Sequence, residues 1–257
     1  MSNVKYNFNN KLVIVTAGSK GIGKSIVNSF LDAGARVATF SINCKSQKDD
    51  TLFQLQGDIS DPDFLNHFHS SLTTYFDASV DILVNNNGGP TPGLPLSFDD
   101  KEWDSAFQNN FYSAVRMSRL VAEGMKENKW GRIINLTSAS AKEPALGMTL
   151  SNVTRSAVIS FAKTLSLELA GHGITVNSIL TGGVHTERFN SLVENQISES
   201  GESFEDAMTR INATVPVNFI ATPEQFSKYI LFIASEEASY LNGVAVSIDG
   251  GSFKGLF

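Results

Sequence analysis

The chain has 257 residues, 42% of them hydrophobic and 18% charged, and carries a net charge of −6. That balance excludes the disordered class and allows a core that needs neither metal nor disulfide. An acidic chain is expected to bind neither nucleic acid nor anionic membrane, and no run approaches the roughly 18 apolar residues of a membrane helix. The single cysteine, Cys44, fits a reducing, cytoplasmic setting, and the opening MSNVKYNFNN has no apolar or Arg-rich leader pattern.

In chain order, KLVIVTAGSKGIGKSIVNSFLDAGARVATFS reads as a strand, a glycine-rich turn, an amphipathic helix closing at Gly34, and a second strand. Both strands are continuous apolar runs, the pattern of a parallel sheet covered on two faces. LFQLQ predicts a short strand, and a helix opens at Asp61-Pro62. VDILVNN is a strand, Asp99 to Glu127 a long helix, and GRIINLTS the next strand. Thr149 to Gly171 reads as helix and GITVNSIL as strand, followed by a polar stretch from Glu187 to Thr214. Pro223 to Ala234 is helical, and GVAVSID closes the pattern as a strand. About seven strands alternating with helices predict one α/β domain over residues 1–257, a Rossmann-type doubly wound parallel sheet with helices on both faces. Ligands of such sheets bind beyond the C-terminal strand ends, where the strand order reverses.

TAGSKGIG, Thr16 to Gly23, follows the first strand and opens a helix. Its glycines permit a tight turn and close approach of a pyrophosphate, and the helix N-terminus adds open N–H groups. Further segments are GDIS at 57–60, LVNNNGG at 83–89, FQNNF at 107–111 and GRIINLTS at 131–138. GITVNSILTGGVHT at 173–186, PVNFIATPEQ at 216–225 and LNGVAVSIDGG at 241–251 complete the series. With these segments in this order the chain resembles the short-chain dehydrogenase/reductase family, and within it the 3-oxoacyl-[acyl-carrier-protein] reductase-like members.

The resemblance implies a nicotinamide dinucleotide held by Thr16, Gly18, Ser19, Lys20, Gly21, Ile22 and Gly23 of the turn. It further implies Asp58 and Ile59 at the adenine, Asn85 and Asn86 at the adenosine ribose, and Val184 and Thr186 at the carboxamide. Ser41 stands where an acidic residue would select NAD(H), with Lys20 and Lys45 near in sequence, so NADP(H) is favoured over NAD(H). Ala17 stands where the family has glycine; a methyl there is tolerable if its φ is negative, with weakened cofactor binding expected. Asn87 replaces an alanine and Thr181 a proline of the family pattern.

The family holds the substrate oxygen with a serine and a tyrosine, lowers the tyrosine pKa with a lysine, and anchors a relay water with an asparagine. By resemblance, Ser138 is the serine and Asn110 the asparagine. The tyrosine and lysine places hold Ser151 and Arg155. Residues four apart share a helix face, so both can still meet one ligand. Arginine's planar fork suits a ribose diol, but serine is a far weaker acid than a phenol. None of the five tyrosines can be brought to position 151 by shifting register. Lys142 and His185 are candidate substitute acids. The implied activity is interconversion of a carbonyl and an alcohol on a small molecule. The alternatives are a silent cofactor-binding or regulatory protein, or a dehydratase or isomerase in the same pocket.

Residues 187–214 take the place of the family's substrate lid and carry six acidic side chains against Arg188 and Arg210. Such a lid does not favour an anionic substrate. Arg116, Arg119, Lys126, Lys129 and Arg132 are a candidate docking patch for an acidic carrier. The closing FKGLF and the resemblance point to a homo-oligomer, a dimer or tetramer. No metal site is expected.

Overall fold

The computed structural model describes residues 4–198 and 200–256. Eight strands lie in one sheet: β1 (Leu12–Thr16), β2 (Arg36–Ser41), β3 (Gln47–Lys48), β4 (Leu52–Gln56), β5 (Ile82–Asn85), β6 (Gly131–Ser138), β7 (Ile174–Thr181) and β8 (Ala245–Ile248). Their order is β3-β4-β2-β1-β5-β6-β7-β8. All pairings are parallel except β3 with β4, a two-residue antiparallel edge that raises the expected seven strands to eight.

Alternate residues of each buried strand enter opposite cores. Val13 and Val15 pack with Ile26 and Phe30 of α1 (Gly21–Asp32) and with Phe226 and Ile230 of α8 (Pro223–Ala234). Leu12 and Ile14 pack on the other face with Leu65 and Phe68 of α2 (Pro62–Phe76) and with Met117 and Val121 of α4 (Ser113–Asn128). A fully buried side chain of this size contributes about 1.5–3 kcal/mol, so both layers hold the strand ends rigidly. Asp61 caps α2 by accepting from Asp63 N and Phe64 N, with Pro62 in the first turn as expected.

The helix expected over 99–127 is not uniform. An α-helical segment, α3 (Asp100–Phe107), passes into a π turn over Gln108–Tyr112 and then into α4. Such single π turns are rare and gather at functional sites, and this one carries Asn110. α5 (Thr149–Leu169) follows β6. The polar stretch is two helices, α6 (Glu187–Ile197) and α7 (Phe204–Thr214), capped by Thr186 and Ser203. Glu199 of the lid and Phe257 of the apolar tail lie outside the described residues; Leu256 is exposed. Among the described residues no helix is long and apolar enough to cross a membrane.

Candidate active site

β1 is flanked by β2 on one side and β5 on the other, so the sheet's order reverses at its C-terminal end, where the glycine-rich turn stands. Tertiary hydrogen bonds fix that turn. Gly18 N donates to Thr39 Oγ1 (3.0 Å), and a methyl on Gly18 would collide with that hydroxyl. Thr16 Oγ1 donates to Asn86 O (2.5 Å) and accepts from Asn86 N (2.8 Å). Asn86 Nδ2 donates to Thr16 O (3.0 Å) and Ala17 O (3.2 Å), and a Cβ on Gly23 would lie 2.5 Å from it. Thr16 and Asn86 thus tie β1 to the end of β5.

Ala17 corrects an expectation, because its φ is +50° rather than negative. The Thr39 and Asn86 anchors on either side impose this left-handed conformation, which costs an L-residue roughly 1–2 kcal/mol. Ala17→Gly removes that strain and gives back part of it through the freer unfolded chain. We expect a net stabilisation of about 0.5–1 kcal/mol, read as a rise of ~1–4 °C in thermal midpoint. A midpoint that falls would show that the turn does not need a left-handed residue here.

α1 starts with Lys20 in the cap position, no side chain capping its first turn and no acidic residue there. Its open N–H groups and positive dipole end suit an anionic group such as a pyrophosphate. Two clefts of about 640 and 650 Å³ share Ala17, Lys20 and Asn87 to Gly89, and so form one trough along the strand ends. Its first half is lined by Ser19, Lys20, Ser41, Ile59 and Asn110, with Ser41 Oγ donating to Ser19 Oγ (2.7 Å). The second half brings together Gly21, Ile22, Gly23, Ser138, Ser151, Arg155, Val184 and Thr186.

Other predicted residues stand back from this wall. Asp58 Oδ1 accepts from Ser60 N and Ser60 Oγ, both at 2.8 Å. Asn85 is buried behind the trough, donating to Asn135 Oδ1 (2.8 Å) and Ser118 Oγ (3.4 Å). Lys45 does not border the trough. Neither substitute acid does: Lys142 Nζ reaches Ala245 O (3.1 Å), and His185 is exposed with its ring against Phe189.

Ser138 ends β6, and its Oγ accepts from Ser140 N (3.2 Å) and Ser140 Oγ (2.9 Å). Both bonds use its lone pairs, which leaves its own proton for a ligand. Ser151 is in the first turn of α5 and 5% exposed, and among the described residues its hydroxyl makes no hydrogen bond. One turn on, Arg155 is 7% exposed and donates from Nη1 to Leu136 O (2.9 Å) and from Nη2 to Asn87 O (3.5 Å). Burial first, and the charge of Arg188 second, push this guanidinium down to about 10, so it stays charged at neutral pH. Asn110 donates to Ala106 O (3.0 Å), and its Oδ1 is buried without a partner. Asn110 also lines a small cavity of about 10 Å³ with Asn85 and Arg155, at the lower limit of the space a single water needs.

Three features escaped the sequence reading. Asn87, the residue in place of alanine, donates to Asn109 O (2.5 Å) and ties the loop after β5 to the π turn. Arg188, although exposed, lines the trough. The proposed basic patch is only partly free: Arg116 donates to Ser60 O and Gln108 Oε1, Arg132 is 2% exposed and paired with Glu236, and Lys126 pairs with Glu123, whereas Arg119 and Lys129 are exposed and among the described residues form no ion pair. Among the described residues no group of His, Cys, Asp and Glu is placed to hold a metal.

Residues 16–252 match the family profile described as enoyl-(acyl carrier protein) reductase. The chain belongs to the short-chain dehydrogenase/reductase family. It is 30% identical to the NADPH-dependent reductase BacG of Bacillus subtilis, over 96% of this chain and 99% of that protein. It is 29% identical to the 3-oxoacyl-[acyl-carrier-protein] reductase FabG of Vibrio cholerae, again over 96% and 99%. Among solved structures, L-sorbose reductase from Gluconobacter frateurii complexed with NADPH and L-sorbose superposes with a TM-score of 0.90. That pair is 26% identical over 98% of this chain and all of the other.

Proposed function

We propose that the protein is an NADPH-dependent reductase of the short-chain type that converts a small carbonyl compound to its alcohol. The observation that carries this reading is the convergence of Ser138, Ser151 and Arg155 on the trough that begins at the uncapped N-terminus of α1. The similarity to proteins named as NADPH-dependent reductases supports it. A nicotinamide dinucleotide bound there supplies a hydride. Open amides of α1 and the glycine-rich turn hold its phosphates, and Arg155, with two donors in a rigid fork, holds the ribose diol.

Ser138 donates its free proton to the substrate oxygen and fixes the carbonyl for attack. Negative charge growing on that oxygen is stabilised by this donor and by the buried Arg155 cation. Ser151 cannot supply a proton as a phenol would, so it relays one from water. Asn110 Oδ1, buried and unpartnered, orients that water in the small cavity beside Arg155. Losing a general acid costs about 10²–10⁴-fold, but positioning can contribute ~7–11 kcal/mol, so slow turnover survives the exchange.

NADP(H) preference follows from the end of β2. Ser41 and Ser19 form a neutral rim there, with Lys20 beside them. Ser41→Asp places a carboxylate where a 2′-phosphate would sit, and we expect NADPH to bind ten- to a hundredfold more weakly, with NADH unaffected or tighter (~1.4–2.8 kcal/mol). Equal losses for both cofactors would place the 2′-phosphate elsewhere. The proposed activity is tested by titrating NADPH and NADH by fluorescence, then screening aldehydes, ketones and oxo esters for NADPH oxidation. Tight binding with turnover supports a reductase; tight binding without turnover on any of them favours a silent cofactor-binding protein. We further propose that the protein acts in the cytoplasm as a single-domain subunit of a homo-oligomer.

A further inference from the structure

Two arginines from different helices converge on one loop. Arg155 of α5 donates to Asn87 O (3.5 Å), and Arg188 of α6 reaches across to donate to Pro90 O (3.4 Å). Gly88 and Gly89 lie between those carbonyls, and a Cβ on Gly89 would come 3.1 Å from Arg188 Nη2. Both arginines line the half of the trough that holds Ser138 and Ser151. Among the described residues neither has a carboxylate within 4.0 Å, since the ion pairs present involve other cations.

Like charges gathered without a counter-ion oppose folding, and one of this pair is buried. The arrangement is explained if a ligand brings the missing charge. The acidic lid does not supply it: Glu187 turns to Lys20 (3.8 Å), Glu202 to Arg210 (2.8 Å), and no other lid carboxylate among the described residues borders the trough. Glu187 is the one lid carboxylate among the described residues that lines the trough, and it is paired with Lys20 rather than with either arginine.

We propose that Arg155 and Arg188, one from α5 and one from the lid, form a clamp for an anionic oxygen group. Two planar guanidinium forks lining one cleft suit a pyrophosphate or a carboxylate, each with several oxygens to share. The pyrophosphate would come from the dinucleotide. A carboxylate would come from an oxo-acid substrate; that alternative rests on the reductase reading above.

The test uses the full chain and Arg188→Gln, which removes the charge at an exposed position and keeps a hydrogen-bonding side chain. One arm measures the NADPH dissociation constant by fluorescence. The other measures calorimetric binding of a small 2-oxo carboxylate and of its methyl ester to protein saturated with NADP⁺. We expect at least about a tenfold weakening in one arm, the size of a lost charge-assisted bond, and recovery of most of it in Arg188→Lys. Weaker NADPH binding identifies the pyrophosphate; weaker carboxylate binding with the ester unchanged identifies the substrate. Dissociation constants within twofold of the parent in both arms overturn the clamp. Because both readouts are binding, a parent that binds these anions yet reduces no carbonyl leaves the clamp standing and sinks the reductase. A parent that binds neither anion overturns both.

Discussion

Ser151→Tyr combined with Arg155→Lys should raise carbonyl reduction by about 10²–10⁴-fold while changing NADPH affinity by no more than a few-fold. The two positions lie one helical turn apart on α5 and border the same cleft as Ser138, so a phenol at 151 would project into open space beside the substrate serine. A lysine at 155 keeps a cation next to that phenol and lowers its pKa, which matches the proton donor to neutral pH. The gain belongs to kcat/KM, because the new group acts in the transition state. A new ionisation in the pH–rate profile accompanies it, since a phenol titrates and the serine does not. If the double variant binds NADPH as the parent does but turns over no faster, position 151 is not where the proton is delivered.

Arg155→Met is the second large effect, and its value lies in a contrast. The side chain is long enough to refill the volume but carries no charge and no donors. For the parent, burial first and the charge of Arg188 second push the guanidinium down to about 10, an unfavourable contribution on the order of a few kcal/mol. The sign is that of a base with a lowered folded-state pKa: the cost is present in full below about pH 10 and fades as pH rises above it. Against it stand two hydrogen bonds to Leu136 O and Asn87 O, each worth about 1.5 kcal/mol or more to a charged donor. The terms nearly cancel, so chemical denaturation should find Arg155→Met within about 1–2 kcal/mol of the parent. NADPH binding should nevertheless weaken by ten- to a hundredfold, the loss of one or two charge-assisted bonds. A variant that loses several kcal/mol of stability but binds NADPH normally would make Arg155 structural.

Much of this could be read before any coordinates. Continuous apolar runs such as LVIVT and ILVN specified buried parallel strands, and the helix read over Pro223 to Ala234 is α8 to the residue. The glycine turn was legible because three glycines between a strand and a helix serve one purpose. What was not legible depends on distant residues. Nothing local marks residues 108–112 as a π turn, since one added residue per turn hardly disturbs helical periodicity. The sign of φ at Ala17 is set by Thr39 and Asn86, which lie 22 and 69 positions away. Arg116 and Arg132 read as surface cations until Gln108 and Glu236 were found beside them. Arg188 was hidden by composition: among six acidic lid residues it looked solvated, yet the start of α6 points it into the trough.

Carbonyl reduction by a chain with Ser151 and Arg155 at the places the resemblance gives to a tyrosine and a lysine is tested by recovering the product after incubation with NADPH carrying deuterium at the transferable C4 position. We expect one deuterium on the carbinol carbon, of a single stereochemistry, with the rate falling about 10²–10³-fold in Ser138→Ala as an oxyanion donor is lost. NADPH that binds tightly while no deuterium reaches any carbonyl carbon, even over long incubation at high protein concentration, would contradict it.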